Sequence, residues 1–239
     1  TINGAVTNNA LISQTMVVNS GKTLTTAANG IDANILNNGN VTLTGGTVNH
    51  NITGGGTVTV DGNIVNNGIL GLVAINENKS LTTSADSIYG ISSNNGTLYL
   101  NGGTLGYSVN GDVYITGTVT NTASQWQSIN ISNGGTFTTT ANLLTNNNAI
   151  VNDGTLNITG GNLQQNVTGG NTIIAQNATT SATSFGNLEL NGIMNVGTNT
   201  VNIANADING TINLGISALN KNSSAYTGGH ILVNDVTFG

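Results

Sequence analysis

One phrase recurs along the chain, and it constrains the fold more than any other feature of the sequence. The segment 37–48 returns as 152–163, and a third version occupies 94–105. The longer segments 36–59 and 151–174 align without a gap. Self-similarity of this kind is typical of a solenoid, in which each repeat buries its apolar side against the next repeat.

Within each copy, apolar and polar residues alternate over a few positions. The inward candidates are Val41 and Leu43 in the first copy and Leu156 and Ile158 in the last. Alternation with a period of two predicts short strands with one face inward and one face outward. An Asn-Gly or Asp-Gly pair precedes each of these segments and a Gly-Gly pair follows it. Asn-Gly and Gly-Gly supply the positive φ values of sharp corners. The pattern therefore predicts strands that are joined by glycine corners.

The spacing of the copies predicts the coil length. The second and third copies begin 57 and 115 residues after the first, which is close to three and six coils of about 19 residues. Coils of roughly 17–19 residues predict an all-β fold, a single-stranded parallel β-helix of about 13 coils. We expect residues 1–239 to form a single β-solenoid domain, with irregular coils or loops near 119–127 and 175–184, where the repeat blurs.

Composition agrees with a solenoid. The chain holds 44 Asn, 37 Thr and 34 Gly, and it has no Pro. Asn and Gly are poor helix formers, whereas Asn at matching corners of successive coils can stack in hydrogen-bonded ladders. Disorder is the alternative for a polar chain with few charges, but aliphatic residues recur too regularly between the turns for it.

Charge and hydropathy exclude several functions. Nine acidic residues stand against three lysines, Lys22, Lys79 and Lys221, and the chain has no Arg. Nucleic-acid binding needs a dense cationic surface, so we do not expect it. The longest apolar stretch, residues 69–75, is far shorter than the roughly 20 residues that span a bilayer. The absence of Cys excludes disulfides and thiolate metal sites.

The copies centred on Gly39, Gly96 and Gly154, together with residues 133–138, resemble the passenger regions of bacterial autotransporters and related large surface adhesins, including the rickettsial surface antigens. The resemblance covers most of the chain and implies a right-handed β-helix that is secreted and exposed at the surface of a Gram-negative cell. It also implies a structural and adhesive role, that of a stiff extracellular rod.

Neither end of the sequence reads as a cap. Residues 1–4 are repeat-like, and the apolar run 231–233 lies almost at the other end. An open solenoid end exposes unpaired backbone groups and apolar core. Two explanations stay open: the chain is a segment of something longer, or identical chains self-associate end to end in a filament.

Residues that could carry chemistry are sparse. Asp61 and Glu77 are 16 residues apart and could be stacked carboxylates, as in a retaining glycosidase. A carbohydrate-active β-helix enzyme, either a glycan hydrolase or a lyase, is therefore the alternative function. His50 and His230 have no acidic cluster nearby in sequence, so we expect no catalytic residue, no metal site and no cofactor.

Thr-x-Thr pairs such as Thr42 and Thr44 raise the idea of an ice-binding face. In the aligned copies these positions are Tyr99 and Asn101 in one case and Asn157 and Thr159 in the other. That face would mix residue types, and Thr is common on solvent-facing strands.

Aromatic residues give the better binding hypothesis. Tyr99 and Tyr114 occupy outward positions between apolar neighbours about one coil apart, and Tyr107 and Trp126 lie nearby in sequence. A stripe of such rings could contact glycans or a partner protein on a host or neighbouring cell. The structural alternative is that the rings cover a loop or pair across coils.

Overall fold

The chain folds as an all-β parallel solenoid of about 11 turns, which confirms the predicted fold class. This computed structural model describes residues 1–125, 127–145, 148–176, 178–180, 184–196, 201–208, 211–214, 219–221, 226–227 and 230–233. The chain divides into two compact units, Thr1–Tyr114 and Ile115–Gly239. We call them the first and the second unit.

The strands are short, and three of the corners are single 3₁₀ turns. The 3₁₀ turns span Ala28–Gly30, Ala85–Ser87 and Ala141–Leu143. The strands are β1 (Ala5–Asn8), β2 (Met16–Val18), β3 (Thr23–Thr26), β4 (Ile35–Asn37), β5 (Asn40–Leu43), β6 (Gly46–Val48), β7 (Ile52–Val60), β8 (Asn63–Asn66), β9 (Leu70–Ile75), β10 (Ser80–Thr83), β11 (Ile88–Asn94), β12 (Thr97–Leu105), β13 (Asp112–Asn121), β14 (Ile129–Ile131), β15 (Thr136–Thr139), β16 (Ile150–Asn152), β17 (Thr155–Ile158), β18 (Gly161–Leu163), β19 (Val167–Thr168), β20 (Asn171–Ile174), β21 (Ala178–Thr180), β22 (Ser184–Leu190), β23 (Ile193–Val196), β24 (Val201–Ile208), β25 (Thr211–Leu214), β26 (Leu219–Lys221), β27 (Tyr226–Thr227) and β28 (His230–Val233).

Strand pairing is parallel and links each coil to the next. In the first unit one sheet follows the order β1-β3-β5-β7-β9-β11, and in the same sheet β2 pairs with β4 and β4 pairs with the start of β7. A second sheet follows the order β6-β8-β10-β12. In the second unit the orders are β15-β17-β20-β22-β24-β26, β14-β16-β19 and β18-β21-β23-β25-β28. Thr23 pairs with Asn40, and Asn40 pairs with Thr57, so one coil here takes 17 residues.

Aliphatic side chains fill the interior as the alternation predicts. Leu24, Val41 and Val58 are paired in register on successive coils, and each is fully buried. In the second unit Phe137 and Leu156 are paired in the same way and are also fully buried. These inward columns remove most of the apolar side-chain area from water, which is the main favourable contribution to folding.

The 3₁₀ turns show that the sequence repeat is longer than three coils. Their first residues, Ala28, Ala85 and Ala141, are all buried and lie 57 and then 56 residues apart. The matching strands β3 and β10 belong to different sheets of the first unit. A copy of the repeat therefore lies more than three coils further along the chain and in another sheet.

Each 3₁₀ turn follows a buried threonine that is bound by a buried or half-buried asparagine. The threonine hydroxyl donates to the carbonyl oxygen of the next residue at 3.1–3.3 Å, and it accepts from an asparagine Nδ2 of the preceding coil at 3.0–3.3 Å. The pairs are Asn8 with Thr26, Asn66 with Thr83, and Asn121 with Thr139. Because buried polar groups are costly without partners, these pairs make a polar interior compatible with folding.

Glycine is required where the next coil passes over a 3₁₀ turn. Gly46, Gly103 and Gly161 have φ values of 100°, 90° and 92°. A Cβ atom at Gly46 would collide with the side chain of Asn29, and one at Gly103 with Asp86. Both the left-handed backbone and the close approach explain the Gly-Gly pair of each copy.

The number of turns differs from the sequence-based prediction. The turns number about 11 instead of 13, because dividing the whole chain by one coil counts every terminal and irregular residue as part of a stacked coil. The interval 119–127 holds the last residues of β13 and then an isolated bridge between Gln125 and Leu144. The interval 175–184 contains strand β21.

Candidate contact surface at Tyr99 and Tyr114

The structure brings together two of the predicted contact residues. Leu98 and Leu100 in β12 are fully buried, and the alternation places the half-buried Tyr99 on the outer face. In β13 the buried Val113 places Tyr114 outward in the same way. The two ring centroids are 5.4 Å apart and the ring planes are inclined by 31°. This tilted geometry lies within the range of favourable aromatic pairs.

Strand register extends this pair into a longer outward column. Thr47 pairs with Val65, Val65 with Thr82, and Thr82 with Tyr99. Val65 is 43% exposed. We call Thr47, Val65, Thr82, Tyr99 and Tyr114 the tyrosine column. It combines methyl groups, two aromatic rings and hydroxyls, and it contains no charge.

A polar column runs beside the tyrosine column. Asn63, Ser80 and Thr97 are paired in register on three successive coils. The Ser80 hydroxyl donates to Oδ1 of Asn63 at 3.1 Å. Thr97 therefore places a hydroxyl beside Tyr99, and the exposed Asp112 lies two positions before Tyr114 on the same outward face. This mixture of rings and polar groups is one that contacts with sugars and with protein surfaces both use.

Tyr107 does not join this column. It lies between β12 and β13, and its hydroxyl donates to the carbonyl oxygen of Ala85 at 3.2 Å, at the start of a 3₁₀ turn. Burial raises the pKa of the Tyr107 phenol above its ordinary value, and the nearby Asp86 carboxylate raises this pKa further. Tyr107 thus packs over a corner. Trp126 lies outside the described residues.

Sequence reasoning missed the most exposed aromatic side chain among those described. Tyr89 in β11 is 64% exposed. The signal was present, because Tyr89 also stands between apolar neighbours, Ile88 and Gly90, as Tyr99 does. In register, Ile88 pairs with Leu70 and Gly90 with Leu72, so Tyr89 lies beside Gly71 and stacks on no aromatic ring of the preceding coil.

Several charged side chains are bound to groups of the neighbouring coil. Asp32 lies 3.2 Å from Nε2 of His50, Asp86 accepts from the backbone N–H of Thr104, and Asp61 accepts from Nδ2 of Asn76 at 2.9 Å. The coil neighbour of Asp61 is therefore Asn76 and not Glu77, so these two carboxylates do not stack as the sequence suggested. Within the described residues, no group of three or more His, Cys, Asp or Glu could hold a metal ion.

The threonine-rich outer face in the first unit differs from the one expected from the aligned copies. Thr7, Thr25, Thr42 and Thr59 are paired in register on four successive coils. A parallel column contains Thr23, Asn40 and Thr57. Alignment of the copies matches Thr42 with Tyr99, but these residues belong to different sheets. The true neighbours of Thr42 are other threonines.

The chain matches no protein family, no curated protein sequence and no solved structure in comparisons with each. The resemblance to autotransporter passengers therefore remains a hypothesis based on the repeat alone. Among the described residues, no helix has the length and apolar character that crossing a membrane requires.

Proposed function

We propose that this chain is a non-enzymatic, extracellular structural and adhesive β-solenoid, a stiff spacer at a bacterial cell surface. The observation that carries the proposal is the in-register parallel pairing of successive coils in each unit over inward aliphatic columns. Hydrogen bonds between coils run along the stacking direction, so bending a stack strains many of them together. The outward side chains can then vary without altering this framework.

Mechanical stiffness is the primary test. Single-molecule stretching of the chain between surface handles should show unfolding in a few cooperative steps at high force, because neighbouring coils share their hydrogen bonds and core. Gradual extension at low force, as for a disordered linker, would refute the spacer role.

The tyrosine column is the proposed adhesive contact. Its two rings and its valine and threonine side chains offer apolar area together with hydroxyl groups, and aromatic residues contribute strongly to binding at interfaces. The proposed partner is a glycan or a protein on a host or neighbouring cell.

Binding to intact cells and to a glycan array would test this contact. We expect the double variant Tyr99→Ala with Tyr114→Ala to lose most of the binding, whereas Tyr89→Ala, which removes an exposed tyrosine outside the column, should retain it. Circular dichroism would establish that both variants keep the fold. Equal binding by the wild type and the double variant would exclude the column as the contact.

End-to-end self-association is the second part of the proposal. It would extend between chains the same parallel pairing that joins successive coils within each unit. Electron microscopy of the purified chain should then show fibres one solenoid wide that lengthen with protein concentration. Monodisperse particles at all concentrations would exclude filament formation.

The carbohydrate-active enzyme is the less favoured function, because Asp61 is bound to Asn76 and lies one coil from an amide and not from a second carboxylate. A glycan hydrolysis assay on the wild type and on Asp61→Asn would test it. Turnover that disappears in the variant would reverse the ranking of the two functions.

The threonine columns favour ice binding as another candidate. Six threonines stand on neighbouring coils at Thr7, Thr23, Thr25, Thr42, Thr57 and Thr59. Coils repeat at about 4.8 Å, so methyl and hydroxyl groups form a regular two-dimensional array that could match a periodic solid surface. Asn40 donates to Thr42 and accepts from Thr59, which fixes part of the array.

Thermal hysteresis and inhibition of ice recrystallisation would test this candidate. Thr42→Lys should abolish either effect, because a long charged side chain interrupts the array, whereas Thr138→Lys on a mixed column of the second unit should not. Absence of both effects in the wild type would exclude ice binding and would leave the spacer role untouched.

A further inference from the structure

Four corners of the solenoid share one short pattern, a buried asparagine followed by an exposed Asn or Asp and then Gly. The buried residues are Asn37, Asn66, Asn94 and Asn152. The exposed residues that follow them are Asn38, Asn67, Asn95 and Asp153, and the glycines are Gly39, Gly68, Gly96 and Gly154. Asn-Gly is the dipeptide in which the glycine nitrogen can most readily attack the asparagine side chain, because Gly has no Cβ to hinder the attack.

At three of these corners the buried asparagine holds the glycine N–H. Oδ1 of Asn37 accepts from the N–H of Gly39 at 3.1 Å, Oδ1 of Asn66 from Gly68 at 3.2 Å, and Oδ1 of Asn152 from Gly154 at 3.1 Å. This side-chain bond to the backbone two residues on forms an Asx-turn. It stabilises the protonated amide and fixes the orientation of the peptide plane.

The corner at Asn94 is different. Both hydrogen bonds of the Asn94 Nδ2 go to carbonyl oxygens of the next coil, to Asn110 at 2.8 Å and to Asp112 at 3.2 Å. Oδ1 of Asn94 is buried and has no hydrogen-bond partner. Within the part of the chain that the structure describes, the N–H of Gly96 donates no hydrogen bond. The equivalent of the bonds at Gly39, Gly68 and Gly154 is therefore missing.

We infer that Asn95 is a site of spontaneous deamidation, whereas Asn38 and Asn67 are protected by the buried asparagine that precedes each of them. The backbone nitrogen of Gly96 loses its proton to solvent base and attacks Cγ of Asn95. The Cγ–N bond then breaks, the side-chain nitrogen takes up a proton and leaves as ammonia, and a succinimide ring remains. Water opens the ring to aspartate or isoaspartate, so the reaction needs no other reactant.

The product would alter a corner that holds two coils together. The N–H of Asn95 donates to the carbonyl oxygen of Ile75, and the N–H of Thr97 donates to that of Lys79. Isoaspartate would insert one additional backbone carbon between these two bonds, and both products add a negative charge. Ageing should therefore loosen the coil of Ile75 to Thr97 before the coils that hold Asn38 and Asn67.

Peptide mapping of the aged wild-type chain by mass spectrometry tests this inference. The rate of deamidation at Asn38, Asn67 and Asn95 is measured in the folded chain and in the chain unfolded by urea, and each folded rate is divided by its own unfolded rate. This ratio removes the effect of local sequence. We expect the ratio at Asn95 to exceed those at Asn38 and Asn67 by roughly two- to tenfold, the change that one hydrogen bond produces. Ratios at Asn38 or Asn67 equal to or above that at Asn95 would overturn the inference.

A variant tests the protective bond itself. Asn37→Ala removes the acceptor for Gly39 and should accelerate deamidation of Asn38 by a similar factor, with Asn95 unchanged. A folded variant in which Asn38 reacts at the wild-type rate would contradict the role of the buried amide. If circular dichroism shows that Asn37→Ala does not fold, the comparison of the three sites within the wild type decides the inference.

Discussion

The 3₁₀ corner at Ala28 in the first unit and the one at Ala141 in the second unit have the same hydrogen bonds but different outward side chains nearby. In the first unit, the turn at Ala28 follows Thr26, whose hydroxyl binds the carbonyl oxygen of Ala27. In the second unit, the turn at Ala141 follows Thr139, whose hydroxyl donates to the carbonyl oxygen of Thr140. Each first turn residue also donates its N–H to a glycine of the next coil, Ala28 to Gly45 and Ala141 to Gly160.

The outward columns near the two corners are not alike. In the first unit the column is Thr7, Thr25, Thr42 and Thr59, whereas in the second it is Thr120, Thr138, Asn157, Ile173 and Glu189. Packing and hydrogen-bond satisfaction fix the inward residues, but nothing comparable fixes the outward ones. Differences in function between regions of this solenoid must therefore reside on its outer faces.

Replacement of inward leucines should have the largest effect and should be similar in both units. Leu24→Ala and Leu156→Ala each remove a fully buried side chain and should destabilise their unit by about 2–5 kcal/mol, because a cavity remains in the column. Urea denaturation followed by circular dichroism measures the loss. Leu36→Ala is the control, since Leu36 is 44% exposed and should cost much less. A large difference between the losses measured for Leu24→Ala and Leu156→Ala would show that the inward columns do not stabilise the two units equally.

Replacement of the corner threonines should have the second largest effect on the free energy of unfolding. Thr83→Val and Thr139→Val keep the shape of the side chain but remove the hydroxyl that accepts from Asn66 and Asn121. The N–H of each amide that donated to the hydroxyl then lacks this acceptor, so we expect a loss of about 1–3 kcal/mol in the free energy of unfolding. Urea denaturation again provides the measurement.

The matched controls for these variants are Thr82→Val and Thr138→Val, one residue earlier on the outward side of the same strands. Such surface changes usually stay within about 0.5 kcal/mol. Equal effects at the inward and outward threonines would show that the polar corner does not stabilise the fold.

The alternation of residues sufficed to predict the strands, the corners and the inward column. It did not show which asparagines are buried, because Asn37 and Asn38 are identical residues that differ only in the direction of their side chains. We expected asparagines at matching corners of successive coils to stack in ladders, and such contacts exist, as between Asn49 and Asn67 at 2.9 Å. The interior amides that bind Thr83 and Gly39 depend on the three-dimensional path of each corner.

The register between coils was the second limit of the sequence. The repeat was visible, but its copies are more than three coils apart, so aligned copies are not spatial neighbours. Alternation placed Tyr99 and Tyr114 outward about one coil apart, and their rings do meet. The expectation for Thr42 was wrong because distant copies were compared and not the coils on either side, which carry Thr25 and Thr59.

The pair Tyr99 and Tyr114 should contribute more to stability than other paired outward residues. A double-mutant cycle of Tyr99→Ala and Tyr114→Ala should give a coupling of about 0.5–1.5 kcal/mol in the free energy of unfolding, since the stacked rings contribute beyond their buried area. The same cycle for Thr138→Ala and Asn157→Ala, which are paired outward residues of the second unit, should give less. Additive effects at the two tyrosines would mean that the stack contributes nothing to stability.

The smallest expected effect on stability concerns Tyr107, whose hydroxyl donates to the carbonyl oxygen of Ala85 at the start of one 3₁₀ turn. It should distinguish this corner from the one at Ala141. Burial and the Asp86 carboxylate raise the pKa of Tyr107 above its ordinary 10.0. The folded state then keeps a proton that the unfolded state loses, so this contribution to stability is complete below about pH 10 and declines as the pH rises toward the raised value. Tyr107→Phe removes the ionising group and the bond to Ala85. The loss in the free energy of unfolding that this variant shows at pH 8, relative to the wild type, should therefore shrink or reverse at pH 11. Urea denaturation of both proteins at the two pH values measures this change, and an unchanged deficit would show that Tyr107 ionises as readily in the folded chain as in the unfolded one.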